Sequence, residues 1–217
     1  MKTVKDGEER RKEILLTART LFVQKGYDQT SINDILKIVG IAKGTFYYYY
    51  SSKEEVLEAI IMDIVNEGAD RAEHILLDPT IPVLERIFRA VIAQTPEFEG
   101  ALTIADELHK PDNAKLEQEY RKMMLKKMTS VLEGAVKEAQ ELDIIHTQFP
   151  KESIETMLLM GHMMFDCDTF LWDSEEYPIK AQAFIYNSER IFGITEGKLQ
   201  QFINMFINRE KEEGDNA

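Results

Sequence analysis

Residues 30–54 read TSINDILKIVGIAKGTFYYYYSSKE. The spacing predicts two short helices on either side of a tight turn. Thr30 or Ser31 supplies an N-cap oxygen for the first, whose Ile32, Ile35, Leu36 and Val39 share one face. Gly40 stands where the chain must turn sharply, a place for a residue without a Cβ. The second helix, about 42–48, begins with Lys43, Gly44 and Thr45, whose small or polar side chains let its backbone approach another surface. This is the build of a helix-turn-helix DNA reader. Four tyrosines follow at 47–50. At about 100° per residue they cannot share a face, so one or two are expected to pack inward.

Working outward, a helix over about 8–25 carries Ile14, Ala18, Leu21 and Phe22 on one stripe, and Lys25-Gly26 closes it. Phe22, Ile35 and Phe46 are the candidates for a core shared by these three helices. Ser51 or Ser52 caps a fourth helix, Ser52 with Glu55 fitting a capping box, and that helix runs to about residue 76. Asp78-Pro79 and Pro82 mark the next boundary. Further helices are expected over about 81–95, 97–109, 113–141, 151–173, 179–193 and 196–209. Period-2 alternation and hairpin turns are lacking. The fold class is therefore all-α, with about nine to ten helices.

Apolar residues make up 44% of the 217, enough for a packed core rather than disorder. One cysteine, Cys167, allows no internal disulfide and suits a reducing cytoplasm. No apolar run is long enough to span a membrane, and MKTVKDGEERRKE has no apolar core of a secretion signal. A cytoplasmic protein without a membrane role is expected. The net charge of −13 argues against nucleic acid until its distribution is read. Residues 1–53 hold ten Lys/Arg against six Asp/Glu, a net of +4, and the remainder carries −17. A basic contact face on an acidic body orients docking to phosphate.

The stretch Gly40-Ile41-Ala42-Lys43-Gly44-Thr45-Phe46-Tyr47, continuing through Tyr50 to Ser52-Lys53-Glu54-Glu55, resembles the corresponding segment of the TetR family of bacterial transcriptional regulators. Ala18-Arg19-Thr20-Leu21-Phe22, Gly26-Tyr27, Thr30-Ser31-Ile32 and Asp34-Ile35 match in order as well, so the resemblance covers about residues 10–60. Ala42 stands where many members have Ser, and Tyr50 where Phe is usual. Tyr50 is expected to pack on the first helix with its hydroxyl reaching solvent. The resemblance implies an N-terminal three-helix DNA-binding domain, residues 1–53, and a C-terminal helical effector-binding and dimerisation domain, residues 54–217. It implies a phosphate at Thr30 and Ser31, base edges at Lys43, Gly44 and Thr45, phosphate or thymine contacts from Tyr47 and Tyr48, and a phosphate at Lys53. Tyr48 or Tyr49 points at DNA in different members. The partners implied are a double-stranded operator, a second copy of the chain and a small effector, with repression the usual sign.

The helix over 151–173 is apolar on two sides, so one side is expected to face its own core and the other a partner. Ile154, Leu158 and Gly161 on it, with Ile179, Ala183 and Tyr186 on the next, are the candidates for the dimer interface. The last helix, with Leu199, Phe202 and Phe206, either joins that interface or covers the core. Methionines cluster over 123–164, and such pliable side chains suit an apolar pocket or plain core. The candidates for an effector pocket are Phe88, Phe98, Leu102, Asp106, Met124, Met128, Met160, Met164, Phe165 and Asp168.

An enzyme is the first rival. Its candidates are the pairs Asp106/His109 and His162/Asp166, and two ligands are too few for a metal. No nucleophile elbow or phosphate loop occurs, so no catalytic residue, metal or cofactor is expected. The second rival is a helical ligand-binding protein without a DNA function, against which the basic N-terminal module counts.

Overall fold

Ile14, Ala18, Leu21 and Phe22 recur every three or four residues, and all four are buried on one stripe of a helix. That helix opens the fold. The computed structural model describes residues 7–94, 98, 100–165 and 176–204. Among the described residues there are nine α-helices: α1 (Gly7–Lys25), α2 (Ile32–Val39), α3 (Lys43–Tyr49), α4 (Lys53–Leu76), α5 (Val83–Ala93), α6 (Ala101–Leu108), α7 (Ala114–Glu141), α8 (Pro150–Phe165) and α9 (Tyr177–Phe192). Short 3-10 turns occupy Pro111–Asn113 and Gln200–Phe202. The described residues hold no strand and no helix long and apolar enough to cross a membrane. The fold class is all-α, as the spacing predicts.

Two compact units divide the chain. The first takes Met1–Asn66 together with Pro96–Tyr120, so it includes α6 as well as α1–α3 and most of α4. Its core gathers Phe22, Ile35, Phe46 and Tyr50 with Ile60 from α4 and Ile104 and Leu108 from α6. Gly26 ends α1 at φ +84° and Gly40 ends α2 at φ +71°, the left-handed geometry read from the sequence at both places. α6 starts at Ala101 rather than near 97, because Gly100 stands before it at φ +85°. The Gly100 backbone lies against α1, where a Cβ would sit 2.1 Å from Val23 Cγ1.

The second unit takes Glu67–Thr95 and Arg121–Ala217. Phe88, Met128, Leu132, Met157 and Phe184 are fully buried in it. α8 and α9 pack closely at Gly161, where a Cβ would come 3.1 Å from the Phe184 ring. Buried Arg86 donates to the carbonyls of Leu76 and Ile81 and pairs with Glu138, so its charge is satisfied on three sides. Of the helix expected over 196–209, residues 196–199 are not helical, Gln200–Phe202 form a 3-10 turn, Ile203 and Asn204 are helical, and the rest lies outside the described residues. Leu199 and Phe202 are buried, Phe202 stacking on Phe88 at 5.6 Å. Glu189 holds this turn by accepting the N–H groups of Gly197 (2.9 Å) and Leu199 (2.7 Å). The end of the predicted eighth helix, beyond residue 165, lies outside the described residues.

Replacing Gly100 by Ala adds left-handed strain of about 1–2 kcal/mol and overpacking of about 1–3 kcal/mol. Gly100→Ala is therefore expected to lower the unfolding free energy by about 2–5 kcal/mol in urea denaturation. Val23→Ala in the same chain should return part of the loss. An unchanged unfolding midpoint would mean that α1 and the start of α6 do not meet this closely.

Candidate nucleic-acid interface

The reader is built from short-range bonds. Ser31 is the N-cap of α2, and its hydroxyl accepts the Asp34 N–H at 3.2 Å. The Asp34 carboxylate in turn accepts the Ser31 N–H (3.0 Å) and hydroxyl (2.7 Å), completing a capping box. These bonds, from the Ser31 backbone first and its hydroxyl second, hold the Asp34 carboxyl below its ordinary range, with Lys25 adding at 3.5 Å. At the next junction Gly40 donates its N–H to Leu36 and the chain turns into α3. Ala42 caps α3 without a side-chain bond, as its lack of a hydroxyl requires. Ser52 caps α4 by accepting the Glu55 N–H at 3.1 Å, whereas the Glu55 carboxylate turns to Ser51 rather than back to Ser52.

α3 presents one face outward. Phe46 is fully buried and Tyr50, four residues on, is 1% exposed. With about 100° per residue, that inward side leaves Lys43, Tyr47, Gly44, Tyr48 and Thr45 on the remaining arc. All five are exposed, Tyr48 at 82% and Tyr47 at 45%. The Lys43 ammonium lies 5.8 Å from the Tyr47 ring centre, and nothing crowds Gly44 within 4 Å. Tyr49 is half-buried, edge-on to Tyr48, and a Cβ on Gly7 would lie 3.7 Å from its hydroxyl. Of the two alternatives, Tyr48 is the ring that points away from the protein.

Three expected positions are turned inward. Thr30 is buried, its hydroxyl donating to the Gly26 carbonyl at 2.8 Å with that of Leu21 at 3.3 Å. Lys53 donates to the carbonyls of Tyr27 (2.8 Å) and Thr30 (3.0 Å), and its ammonium sits 4.0 Å from the Tyr27 ring centre. The Tyr50 hydroxyl does not reach solvent. It lies 3.5 Å from the Arg11 carbonyl, under the Arg11 guanidinium, and burial raises its pKa. Each of these side chains meets a partner at least nine residues away or in another element, apart from the Thr30–Gly26 bond, so local spacing could not place them. The same holds for Lys110, which bridges Asp28 at 2.8 Å and Glu107 at 2.7 Å. Those two bonds raise the Lys110 pKa, and the one to Lys110 lowers that of Asp28.

The residues expected around an effector do not gather in one unit. In the first unit, Phe98 packs against the reader core with the Arg19 guanidinium 3.7 Å from its ring centre, and Asp106 is exposed. Phe98 therefore belongs to that core and is not a free pocket wall. In the second unit Phe88, Met124 and Met128 are buried, and Met160, Met164 and Phe165 are half-buried. Phe165 lies 5.3 Å from Tyr177 and 5.4 Å from Phe184. Asp168, Asp166 and the Leu102 side chain lie outside the described residues. A groove of about 600 Å³ between α1 and α4, lined by Arg11, Leu15, Tyr50, Glu58 and Met62 among others, includes none of the expected pocket residues. Among the described residues no group of three His, Cys, Asp or Glu could hold a metal.

The residues expected at a dimer face are divided between the interior and the surface. Ile154 and Leu158 are buried within the chain, and Gly161 is closed off by Phe184, because this stripe of α8 packs on α9. The apolar side chains left outside are Leu159 and Met163 on α8, at 45% and 43% exposure, with Ile179 and Tyr186 on α9 at 68% and 47%. Ala183 is half-buried.

A family model for bacterial regulatory proteins of the tetR family matches residues 14–60. The HTH-type transcriptional repressor KstR2 of Mycolicibacterium smegmatis is 34% identical over 74 residues, 34% of this chain and 36% of that protein. The chain thus spans little more than a third of that relative's length. The uncharacterized HTH-type transcriptional regulator YdgC of Bacillus subtilis is 25% identical over 186 residues, 83% of this chain and 91% of the relative. A crystal structure of a TetR/AcrR-family transcriptional regulator from Thermobifida fusca superposes with a TM-score of 0.55 at 26% identity, over 88% of this chain and 98% of that one.

The capping box carries a pH signature. Because the folded Asp34 carboxyl titrates below its ordinary value, the stability it adds is present above that value and is lost as pH falls through the folded titration. The stability gap between the protein and its Asp34→Asn variant is expected to be full near about pH 6 and to close below about pH 4. Ser31→Ala should cost about 1 kcal/mol through loss of the cap. Denaturant melts across pH measure both, and a gap that persists unchanged to about pH 3 would show that the cap does not depend on the charge.

Proposed function

We propose, from the premise that the chain belongs to the tetR family of bacterial regulatory proteins, that it is a ligand-responsive transcriptional regulator. In this reading a homodimer binds a palindromic double-stranded operator in the cytoplasm and represses from it. A small, largely apolar effector then releases it. The observation that carries the DNA reading is the exposed arc of α3, where Lys43, Gly44, Thr45, Tyr47 and Tyr48 stand clear of the core. Lys43 suits guanine O6/N7, and the two tyrosines suit phosphate oxygens or thymine methyls. Ser31 lies at the start of α2, where the resemblance puts a phosphate. KstR2's printed name, a repressor, supports the sign of regulation.

We assign residues 1–53 to DNA reading and 54–217 to effector binding and dimerisation. One short recognition helix has few contacts, so two copies reading half-sites about 34–36 Å apart, or a multiple of that, supply the affinity. The dimer face proposed is the exposed side of α8 and α9 marked by Leu159, Met163, Ile179 and Tyr186, in place of the buried Ile154 and Leu158. The effector site proposed lies among the methionines and aromatics of α5, α7 and α8, with Phe88, Met124, Met128, Met160, Met164 and Phe165. α4 is continuous from Lys53 to Leu76, and the boundary between the compact units falls within it. Its tilt is the route by which a ligand would change the spacing of the reading heads. The ligand acts only by preferring the DNA-incompetent state, by about 5.5 kcal/mol for a 99:1 reversal of populations.

Selection of bound sequences from random duplex is expected to return inverted repeats, with log K falling steeply against log salt. On the selected site Lys43→Ala should weaken binding by about tenfold or more, and Tyr47→Phe by less, while exposed Lys137→Ala on α7 changes nothing. Equal effects from all three would refute the assignment, and no salt-dependent binding at all would favour a helical ligand-binding protein without a DNA role.

Leu159→Glu combined with Ile179→Glu is expected to convert the dimer to a monomer in sedimentation at micromolar concentration, and to weaken operator binding in step. A double variant that sediments as the unaltered protein does would move the interface elsewhere.

A further inference from the structure

We propose that Lys53 is a positioning residue of the reader, tying the turn before α2 to the start of α4. This rests on the regulator reading above for its consequence, but not for its geometry. The ammonium of Lys53 donates to two backbone carbonyls, those of Tyr27 at 2.8 Å and Thr30 at 3.0 Å, and stands 4.0 Å from the Tyr27 ring centre. Charge-assisted bonds to two acceptors, with a ring face beneath, hold the cation in place. They leave one N–H of the ammonium over, so the tie stands whatever that third donor meets.

The tie has a definite topological effect. Thr30 immediately precedes the Ser31 cap of α2, and Lys53 is the first residue of α4, just beyond α3. The bond from Lys53 to Thr30 therefore closes a ring of chain that contains α2, the turn at Gly40 and the whole of α3. Tyr27 adds a second link to α4, its hydroxyl bonded to the Glu54 carboxylate, and the other holds on the turn act from one side only. The Thr30 hydroxyl bonds back to Gly26, and the Tyr27 ring meets Phe22 edge-on at 5.0 Å, both toward α1. Lys110 takes Asp28 from the side of α6. Lys53, with Glu54 beside it, joins the two ends of the helix-turn-helix to one another. Fixing both ends of a two-helix unit fixes the angle between its helices, and hence the direction in which the exposed arc of α3 points.

Lys53→Met tests this, because it keeps most of the apolar stem over Tyr27 and removes the donors. Lys53→Arg keeps a charge and donors, and guards against a variant that fails to fold. Amide hydrogen exchange on the DNA-free protein should quicken by about tenfold or more over residues 27–36 in Lys53→Met, and far less in Lys53→Arg. On the selected operator, Lys53→Met should bind about tenfold more weakly and Lys53→Arg nearly as tightly as the unaltered protein, with log K followed against log salt. A slope shallower by about 0.9 with exchange unaltered would put Lys53 on a phosphate and overturn the proposal. Faster exchange with unaltered operator affinity would overturn it too, leaving only a structural bond. Should the unaltered protein bind no duplex, the regulator reading falls while the exchange arm still decides the tie: faster exchange supports it and unchanged exchange removes it.

Discussion

Burial of Phe46 is the constraint on which the reader depends. α3 has seven residues, and a helix so short does not hold in water by itself. Nor does a side-chain cap help, since Ala42 has no oxygen to offer. What holds α3 is its inward side: Phe46 at no exposure and Tyr50 at 1%, their rings 6.1 Å apart, within the same core as Phe22 and Ile35. A large aromatic in such a core supplies several kcal/mol, more than the intrinsic helical preference of seven residues.

The same burial sets the chemistry of the outer surface. Once positions 46 and 50 are inside, helix geometry leaves no choice about Lys43, Tyr47 and Tyr48. A run of four tyrosines is thereby sorted into two that are exposed, one half-buried and one buried. The sorting matters because a tyrosine hydroxyl aimed outward can bond a phosphate, whereas one directed at a backbone carbonyl cannot. Charge follows the same division. Residues 1–53 carry a net +4 and the remainder −17, so a polyanion is drawn to the reader and repelled by the rest of the chain.

Features decided within a few residues were legible in the sequence. The stripe of α1, the left-handed glycines at 26 and 40, the Ser52 cap and the start of α9 at Tyr177-Pro178 all follow from neighbours close along the chain. Features decided by tertiary placement were not. Lys53 reads as a surface cation until its partners, 23 and 26 residues back, are in place. Lys110 finds Asp28 across 82 residues. Phe98, apolar and beyond a proline, reads equally well as pocket or core, and only the position of α6 against α1 settles it. On α8 the periodicity shows two apolar stripes without saying which one meets α9. That is decided where Gly161, a small position, lets the Phe184 ring come close.

The capping box at α2 narrows how the reader can work. A helix N-terminus favours one anion, and at α2 the protein already supplies it in Asp34. Both donors of Ser31, the N–H and the hydroxyl, are directed at that carboxylate. Its ionised form is favoured, since its pKa is lowered. A DNA phosphate arriving there meets a like charge and no free Ser31 donor, so Ser31 can donate to it only by letting go of Asp34. Thr30 is in the same position, its hydroxyl already given to Gly26. Lys25 is drawn toward Asp34 as well. The first helix of the reader is thus organised to hold its own end, and under the proposed reading the burden of contact falls on α3, whose Lys43, Thr45, Tyr47 and Tyr48 have no competing carboxylate on their own helix.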